Sequence, residues 1–237
     1  MRLDKYLCEC TAFSRREAGD CIRRGKVKVD GEVCRDPARK VEEMTARVEL
    51  GEEVLSYQCF HYMVMNKPGG LITASEGRGE ATVMRLLPSP VPKHLVPVGR
   101  LDKDTEGLLL FTDDGEMNHR LLSPARHVDK VYLVTPQHAL SEEDLIRLRE
   151  GVEIGDEKPT LPALAEMTAQ GDLKLTIREG RFHQVKRMLE AVDNQVLHLK
   201  RIAFGPLKLD PALSPGQVRE CTAEEVERLR HACHAAK

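Results

Sequence analysis

Apolar and polar positions recur with different periods along the chain, and the period predicts the elements. At 100° per residue Ala18, Cys21 and Ile22 fall on one side of a wheel, while Arg16 and Arg23, seven apart, share the opposite side. Ser14 and Glu17 have capping-box spacing, so a helix is expected from there to about Arg24, stopped by Gly25. Val27-Lys28-Val29 and Glu32-Val33 flank Asp30-Gly31, the pattern of a hairpin closed by a tight turn. Residues 42–56 are acidic and weakly patterned. Beyond them Phe60, Tyr62 and Val64 alternate as in a half-buried strand, and residues 108–111 form a short apolar run expected to be a buried strand. Turns are expected at Asn66-Lys67-Pro68-Gly69-Gly70 and Asp113-Asp114-Gly115. Residues 131–134 and 173–177 read as further strands. Helices are expected at 141–150, before Gly151, at about 183–191, and onward from the Thr222-x-x-Glu225 cap. Strands and helices mix without a regular βαβ alternation, which predicts an α+β fold with a mixed, mainly antiparallel sheet. The domain boundary is placed near residue 58, giving a small unit at 1–58 and a larger one at 59–237.

Composition narrows the class. The chain has 237 residues, 41% of them hydrophobic, enough for a substantial core. No apolar run approaches the ~20 residues that span a bilayer, and the first thirty positions carry charges where a signal peptide is apolar. A soluble, cytoplasmic protein without a membrane partner is expected. Seven cysteines without a CxxC pair argue against a disulfide framework or structural zinc. The 36 Lys plus Arg against 38 Asp plus Glu exclude a generically basic nucleic-acid coat. That balance is uneven, however: residues 1–40 hold eleven basic against seven acidic side chains. Arg2, Lys5, Arg15, Arg16, Arg23, Arg24, Lys26 and Lys28 make this end cationic, and on a helix and hairpin the run reads as functional rather than as a solvated face. Residues 141–160, seven acidic against three basic, read as a solvated helix face. Aromatics are only 4%, with no Trp, which excludes a broad base-stacking platform.

Two segments carry candidate chemistry. Gly99-Arg100-Leu101-Asp102-Lys103-Asp104-Thr105-Glu106-Gly107 is a polar loop between apolar segments. Its three carboxylates suggest a metal site, but Arg100 and Lys103 oppose a cation and no histidine is paired with them. A single carboxylate among fixed cations stays ionised and suits a nucleophile or electrostatic stabiliser; the plain alternative is a turn in which Asp102 pairs with Arg100. The second segment, 179–188, combines Arg181, His183, Gln184, Lys186 and Arg187 where a strand turns into a helix, a setting for phosphate and base-edge contacts or simply a basic helix start. Tyr132 lies in an apolar strand, where core packing is the ordinary role. His231 and His234 have helical metal-ligand spacing, against which stands a frayed terminus.

In this order the segments resemble a known family. Gly99-Arg100-Leu101-Asp102-x-Asp104-Thr105-x-Gly107-Leu108 is similar to the signature of pseudouridine synthases that act on ribosomal RNA, of the RsuA branch. Asn66-Lys67-Pro68, Lys130-x-Tyr132, the 179–188 segment, and Leu199-x-Arg201 followed by Gly205-Pro206-Leu207 fall in the expected sequence, and the N-terminal part resembles an S4 RNA-binding domain. The resemblance implies isomerisation of a uridine to pseudouridine in 16S ribosomal RNA, or in an assembly intermediate of the small subunit, by a monomer without metal or other cofactor. It implies Asp102 as catalytic aspartate and Lys186 as the basic partner that depresses its pKa. Tyr132 is then the ring that stacks on a flipped-out base and Leu199 the apolar pocket wall. Arg100, His183 and Gln184 are expected around the substrate, and Lys67, Arg181 and Arg187 against RNA. Many relatives carry Arg where this chain has Lys186, and lysine keeps the charge without the two-pronged geometry. A 23S target is the first alternative, and a non-catalytic ribosome-assembly protein the second; loss of Asp102 or Tyr132 would mark the latter, and both are present.

Overall fold

The computed structural model describes every residue except 12, 56, 58, 59, 124–127 and 235–237, so the expected boundary at residue 58 lies outside the described residues. The chain divides into two compact units, Met1–Phe60 and His61–Lys237. In the first, α1 (Leu3–Cys10) and α2 (Arg15–Arg23) accompany a four-stranded antiparallel sheet. Its strands β1 (Val27–Val29), β2 (Glu32–Cys34), β3 (Val48–Leu50) and β4 (Glu53–Leu55) run in the order β2-β1-β3-β4. The expected capping box is present: Ser14 accepts from the Glu17 amide, and the Glu17 carboxylate accepts from the Ser14 amide. Gly25 ends α2 with φ +72°, and Asp30 and Gly31 take the positive φ values that a tight hairpin turn requires. Leu3, Tyr6, Leu7, Ala18, Ile22 and Val27 form the core of this unit. Residues 42–56, which lack a readable period, contain the β3–β4 hairpin, whose three-residue strands are too short to display alternation.

The second unit holds a nine-stranded mixed sheet among the described residues. Its strands are β5 (Tyr62–Lys67), β6 (Val96–Pro97), β7 (Glu106–Thr112), β8 (Lys130–Pro136), β9 (Leu164–Met167), β10 (Leu173–Ile177), β11 (Val196–Phe204), β12 (Leu207–Lys208) and β13 (Val218–Glu220). The main path runs β13-β5-β7-β11-β8-β10-β9. Every pairing is antiparallel except β7 with β11 at the centre. Helices α3 (Gly115–Leu122), α4 (Glu142–Glu150), α5 (Gln184–Glu190) and α6 (Ala223–His234) complete the unit. The expected alternation from Phe60 needs correction: all six residues of β5 are buried, and Phe60 is exposed. Met63, Met65, Leu109 and Phe111 belong to one apolar cluster, while Tyr62, Val64, Leu108 and Leu110 belong to another. A sheet covered on both faces removes the polar half of the pattern. Asp113-Asp114-Gly115, expected as a turn, is the start of α3: Asp114 caps it by accepting from the Met117 amide at 2.9 Å, and receives the Tyr62 hydroxyl at 2.7 Å.

The central parallel pair is close. Arg201 of β11 lies opposite Gly107 of β7, where a Cβ would meet the Arg201 carbonyl oxygen at 2.2 Å, and Gly107 adopts φ +100°. Gly107→Ala is expected to lose about 1–3 kcal/mol to backbone strain and more to the collision, read as a lower urea midpoint; an unchanged midpoint would contradict this packing.

Candidate active site

The N-terminal end of β7, the middle of β11, the start of β8 and the end of β10 converge beside α5 on a cavity of about 1030 Å³. Asp102 enters it from the loop before β7. Its carboxylate, about one third exposed, lies 3.7 Å from His183 Nε2 and 3.7 Å from Lys186 Nζ, within ion-pair range and beyond hydrogen-bond length. The stronger contact of Lys186 is with Asp104, at 2.7 and 2.8 Å to the two oxygens, and this ammonium holds the Asp104 carboxyl below the usual carboxylate range. The lysine thus sits between two carboxylates, in ion-pair range of Asp102 as expected and hydrogen-bonded to the more exposed Asp104. Glu106, the third acid of the loop, pairs with His198 at 3.1 Å. Among the described residues no group of three or more metal-type ligands is brought together, there or at His231.

Three anchors fix the loop. The Thr73 hydroxyl donates to the Leu101 carbonyl at 2.7 Å and accepts from the Leu101 amide at 3.2 Å. The Gly70 amide donates to the Lys103 carbonyl at 2.7 Å. Beneath lies Lys67, 0% exposed, whose ammonium donates to the carbonyls of Pro68, Lys103 and Thr105 at 3.1, 3.3 and 2.7 Å. Burial pulls this lysine down to about 8, opposed by the charges of Asp104, Glu106 and Asp102. Lys67 is therefore not free to meet RNA as expected, because all three of its donors are spent on backbone under the loop.

Tyr132 and Leu199 line the same cavity and are largely buried, and the exposed Arg100 stands at its edge. Arg181 and Arg187, expected on RNA, are occupied within the protein. Arg181 bonds Glu179 at 2.9 Å and the carbonyls of Lys158 and Pro159 at 2.6 and 2.8 Å. Arg187 holds the Ile154 carbonyl and Asp156. Gln184 is buried: its amide nitrogen donates to Glu179 at 2.7 Å and its oxygen accepts from the Arg181 amide at 2.9 Å. These side chains tie the segment before α5 to residues 154–161 and so build a wall of the cavity. His183 precedes α5 with φ +49° and stacks on Phe182, which is 75% exposed. Thr73, Lys130, Arg201 and Phe204 also line the cavity, a role that sequence reasoning does not assign them; only Lys130 and Arg201 carry a signal, since they fall within motifs of the family. In the first unit Arg2, Lys5, Arg15, Arg16, Arg23, Arg24, Lys26 and Lys28 are all exposed, with Arg2 paired to Asp4 and Arg23 to Asp20.

The sequence profile of the RNA pseudouridylate synthase family matches residues 61–191, and that of the S4 domain matches residues 1–46. The chain belongs to the RNA pseudouridylate synthase family: it is a pseudouridine synthase, an isomerase, with an N-terminal S4 domain. It is 40% identical over 227 residues to ribosomal small subunit pseudouridine synthase A of Escherichia coli, spanning 95% of this chain and 98% of that protein. It is 44% identical over 234 residues to an uncharacterised RNA pseudouridine synthase of Bacillus subtilis, YtzG, spanning 97% and 98%. A crystal structure of a pseudouridylate synthase matches with a TM-score of 0.69 at 35% identity, covering 97% of this chain and 99% of that one. The expected α+β class, with a small S4 domain and a larger, mainly antiparallel sheet domain, holds. Among the described residues no helix is long and apolar enough to cross a membrane.

Lys67→Met is expected to strip three carbonyls of their donor, one of them the buried Thr105 carbonyl, at about 1–3 kcal/mol for a buried group left unsatisfied, and to lower both the urea midpoint and kcat. A variant with the wild-type midpoint would show that the ammonium does not hold the loop.

Proposed function

We propose that this enzyme converts one uridine of 16S ribosomal RNA to pseudouridine in the cytoplasm, with Asp102 as the catalytic carboxylate. The observation that carries the reading is a single cavity that holds Asp102, with His183 and Lys186 each at 3.7 Å, together with Tyr132 and Leu199. The small-subunit target is supported by the 40% identity to ribosomal small subunit pseudouridine synthase A of Escherichia coli.

The chemistry matches these groups. Uracil is detached from its ribose and rejoined through carbon 5, with no redox change and no net addition of water. An ionised carboxylate serves the reaction by attacking the sugar, attacking the base, or removing a proton after the C–N bond breaks. The Lys186 ammonium, 3.7 Å from Asp102, places a positive charge beside that carboxylate. The base must leave its helical stack, at a cost of a few kcal/mol, and Tyr132 offers one ring on which it can rest. A small aromatic content suffices because one base is held and no platform is needed. As Lys186 is bound to the exposed Asp104 in the free enzyme, RNA binding is expected to draw it toward Asp102, since catalytic contacts are often long before substrate arrives. The exposed cations of the S4 domain supply affinity through phosphates, which position the RNA without specifying sequence.

Asp102→Asn is expected to abolish tritium release from carbon 5 of labelled uracil in small-subunit RNA while leaving RNA affinity within about threefold; wild-type turnover by this variant would sink the assignment. In the S4 domain, Arg16→Gln combined with Lys28→Gln is expected to flatten the plot of log affinity against log salt by about 0.7 for each phosphate no longer neutralised. An unchanged slope would place the RNA elsewhere.

A further inference from the structure

The antiparallel register of β8 and β11 sets Lys130 opposite Phe204, Tyr132 opposite Arg201, and Val134 opposite Leu199. Paired residues project to the same side of a sheet, so Lys130, Tyr132 and Val134 share one face with Arg201 and Leu199. Lys130, Tyr132, Leu199, Arg201 and Phe204 all line the cavity.

Among the described residues neither cation is hydrogen-bonded to a carboxylate. Arg201 is 2% exposed; its Nε donates to the Leu108 carbonyl at 2.8 Å, and its Nη2 is buried with no partner among the described residues. The Lys130 ammonium donates to the Val128 carbonyl at 2.8 Å, which leaves two of its three N–H groups without a partner among the described residues. The guanidinium carbon lies 5.1 Å and the ammonium 5.7 Å from the centre of the Phe204 ring, so both sit beside one aromatic side chain. Among the described residues no carboxylate is within ion-pair distance of either. The acids whose charge acts on Lys130, Asp129 and Glu179, are paired with Arg178 and Arg181. Burial, then the charge of Arg201, pushes Lys130 down to about 8. A buried, unpaired guanidinium beside a second cation is unfavourable unless an anion completes it.

We propose that Lys130 and Arg201 form a phosphate subsite that takes the phosphodiester of the nucleotide whose base rests on Tyr132. The inference builds on the functional reading above. A neutral base carbonyl would satisfy one N–H and leave two like charges facing each other, whereas the anionic oxygens of a phosphodiester can accept from both groups and offset one of the two charges. The placement also fits a nucleotide. The Tyr132–Arg201 rung holds the base, and the Lys130–Phe204 rung, two residues or about 6.6 Å along the strand, lies where the attached backbone would pass. Arg201 is held for this contact by its Nε bond to the Leu108 carbonyl of β7.

The test is equilibrium binding of an unmodified small-subunit RNA transcript, with polyuridylate as a second ligand, to full-length Asp102→Asn protein over a range of salt. Adding Lys130→Met should weaken binding about tenfold or more, as expected when a charge-assisted hydrogen bond is removed, and reduce the salt slope by about 0.7. Lys130→Arg and Arg201→Lys, which keep the charge, should keep the slope; this pair stands if the methionine variant fails to fold. Unchanged affinity and slope overturn the subsite. Weakened affinity with an unchanged slope also overturns it, because it indicates a base contact or a structural role. Failure of the functional reading shows itself separately, as wild-type enzyme that binds the transcript without releasing tritium.

Discussion

The loop that carries Asp102 rests on one buried ammonium group. Lys67 ends β5 with no exposed surface, and its donors reach the carbonyls of Pro68, Lys103 and Thr105, which lie on both sides of the chain turn before β7. Backbone in such a loop has no ladder to satisfy it, and buried carbonyls need donors. A lysine is suited to this place because its three N–H groups radiate from a single atom. With Thr73 gripping Leu101 from the other side, the aspartate is held before substrate arrives, which is the condition under which a fixed charge contributes most to a reaction. The sheet continues the same constraint. Gly107 permits β11 to pass close beside β7, and that approach brings Leu199 and Arg201 to the same cavity as Asp102.

The basic side chains of the catalytic domain thereby fall into two groups. Lys67, Arg181 and Arg187 are spent on carbonyls and carboxylates of the protein itself, and they set the floor and wall of the cavity. Lys130, Lys186 and Arg201 face the cavity; Lys186 is held there between Asp102 and Asp104, whereas Lys130 and Arg201 meet no carboxylate among the described residues. A residue's sign alone does not separate the groups; what separates them is the number of acceptors the fold supplies around each head. Part of the acidic content, such as Asp156 and Glu179, is engaged in holding these structural cations.

Much of this is legible in the sequence where local chemistry decides local structure. The Ser14–Glu17 box, the Asp30-Gly31 turn, the Ser141 cap and the strand at 173–177 all depend on neighbours within a few residues. The motif order also indicates that Asp102, Tyr132, Lys186 and Leu199 belong to one site. Three kinds of feature are not readable. Strand β11 escapes because bulges between Val196 and His198 and between Arg201 and Ala203 break the period of two. Strand β5 looks half-polar only when the alternation is started at Phe60, outside the strand. The fate of Lys67 and the preference of Lys186 for Asp104 depend on groups 36 to 82 positions away, and no local pattern encodes them.

Modification of small-subunit ribosomal RNA by this chain is tested most directly by a map of pseudouridines in ribosomal RNA from cells that have the protein and from cells that lack it. One pseudouridine should disappear from 16S RNA, with the 23S pattern unchanged. A complete 16S pattern, or a loss confined to 23S RNA, would contradict the assignment.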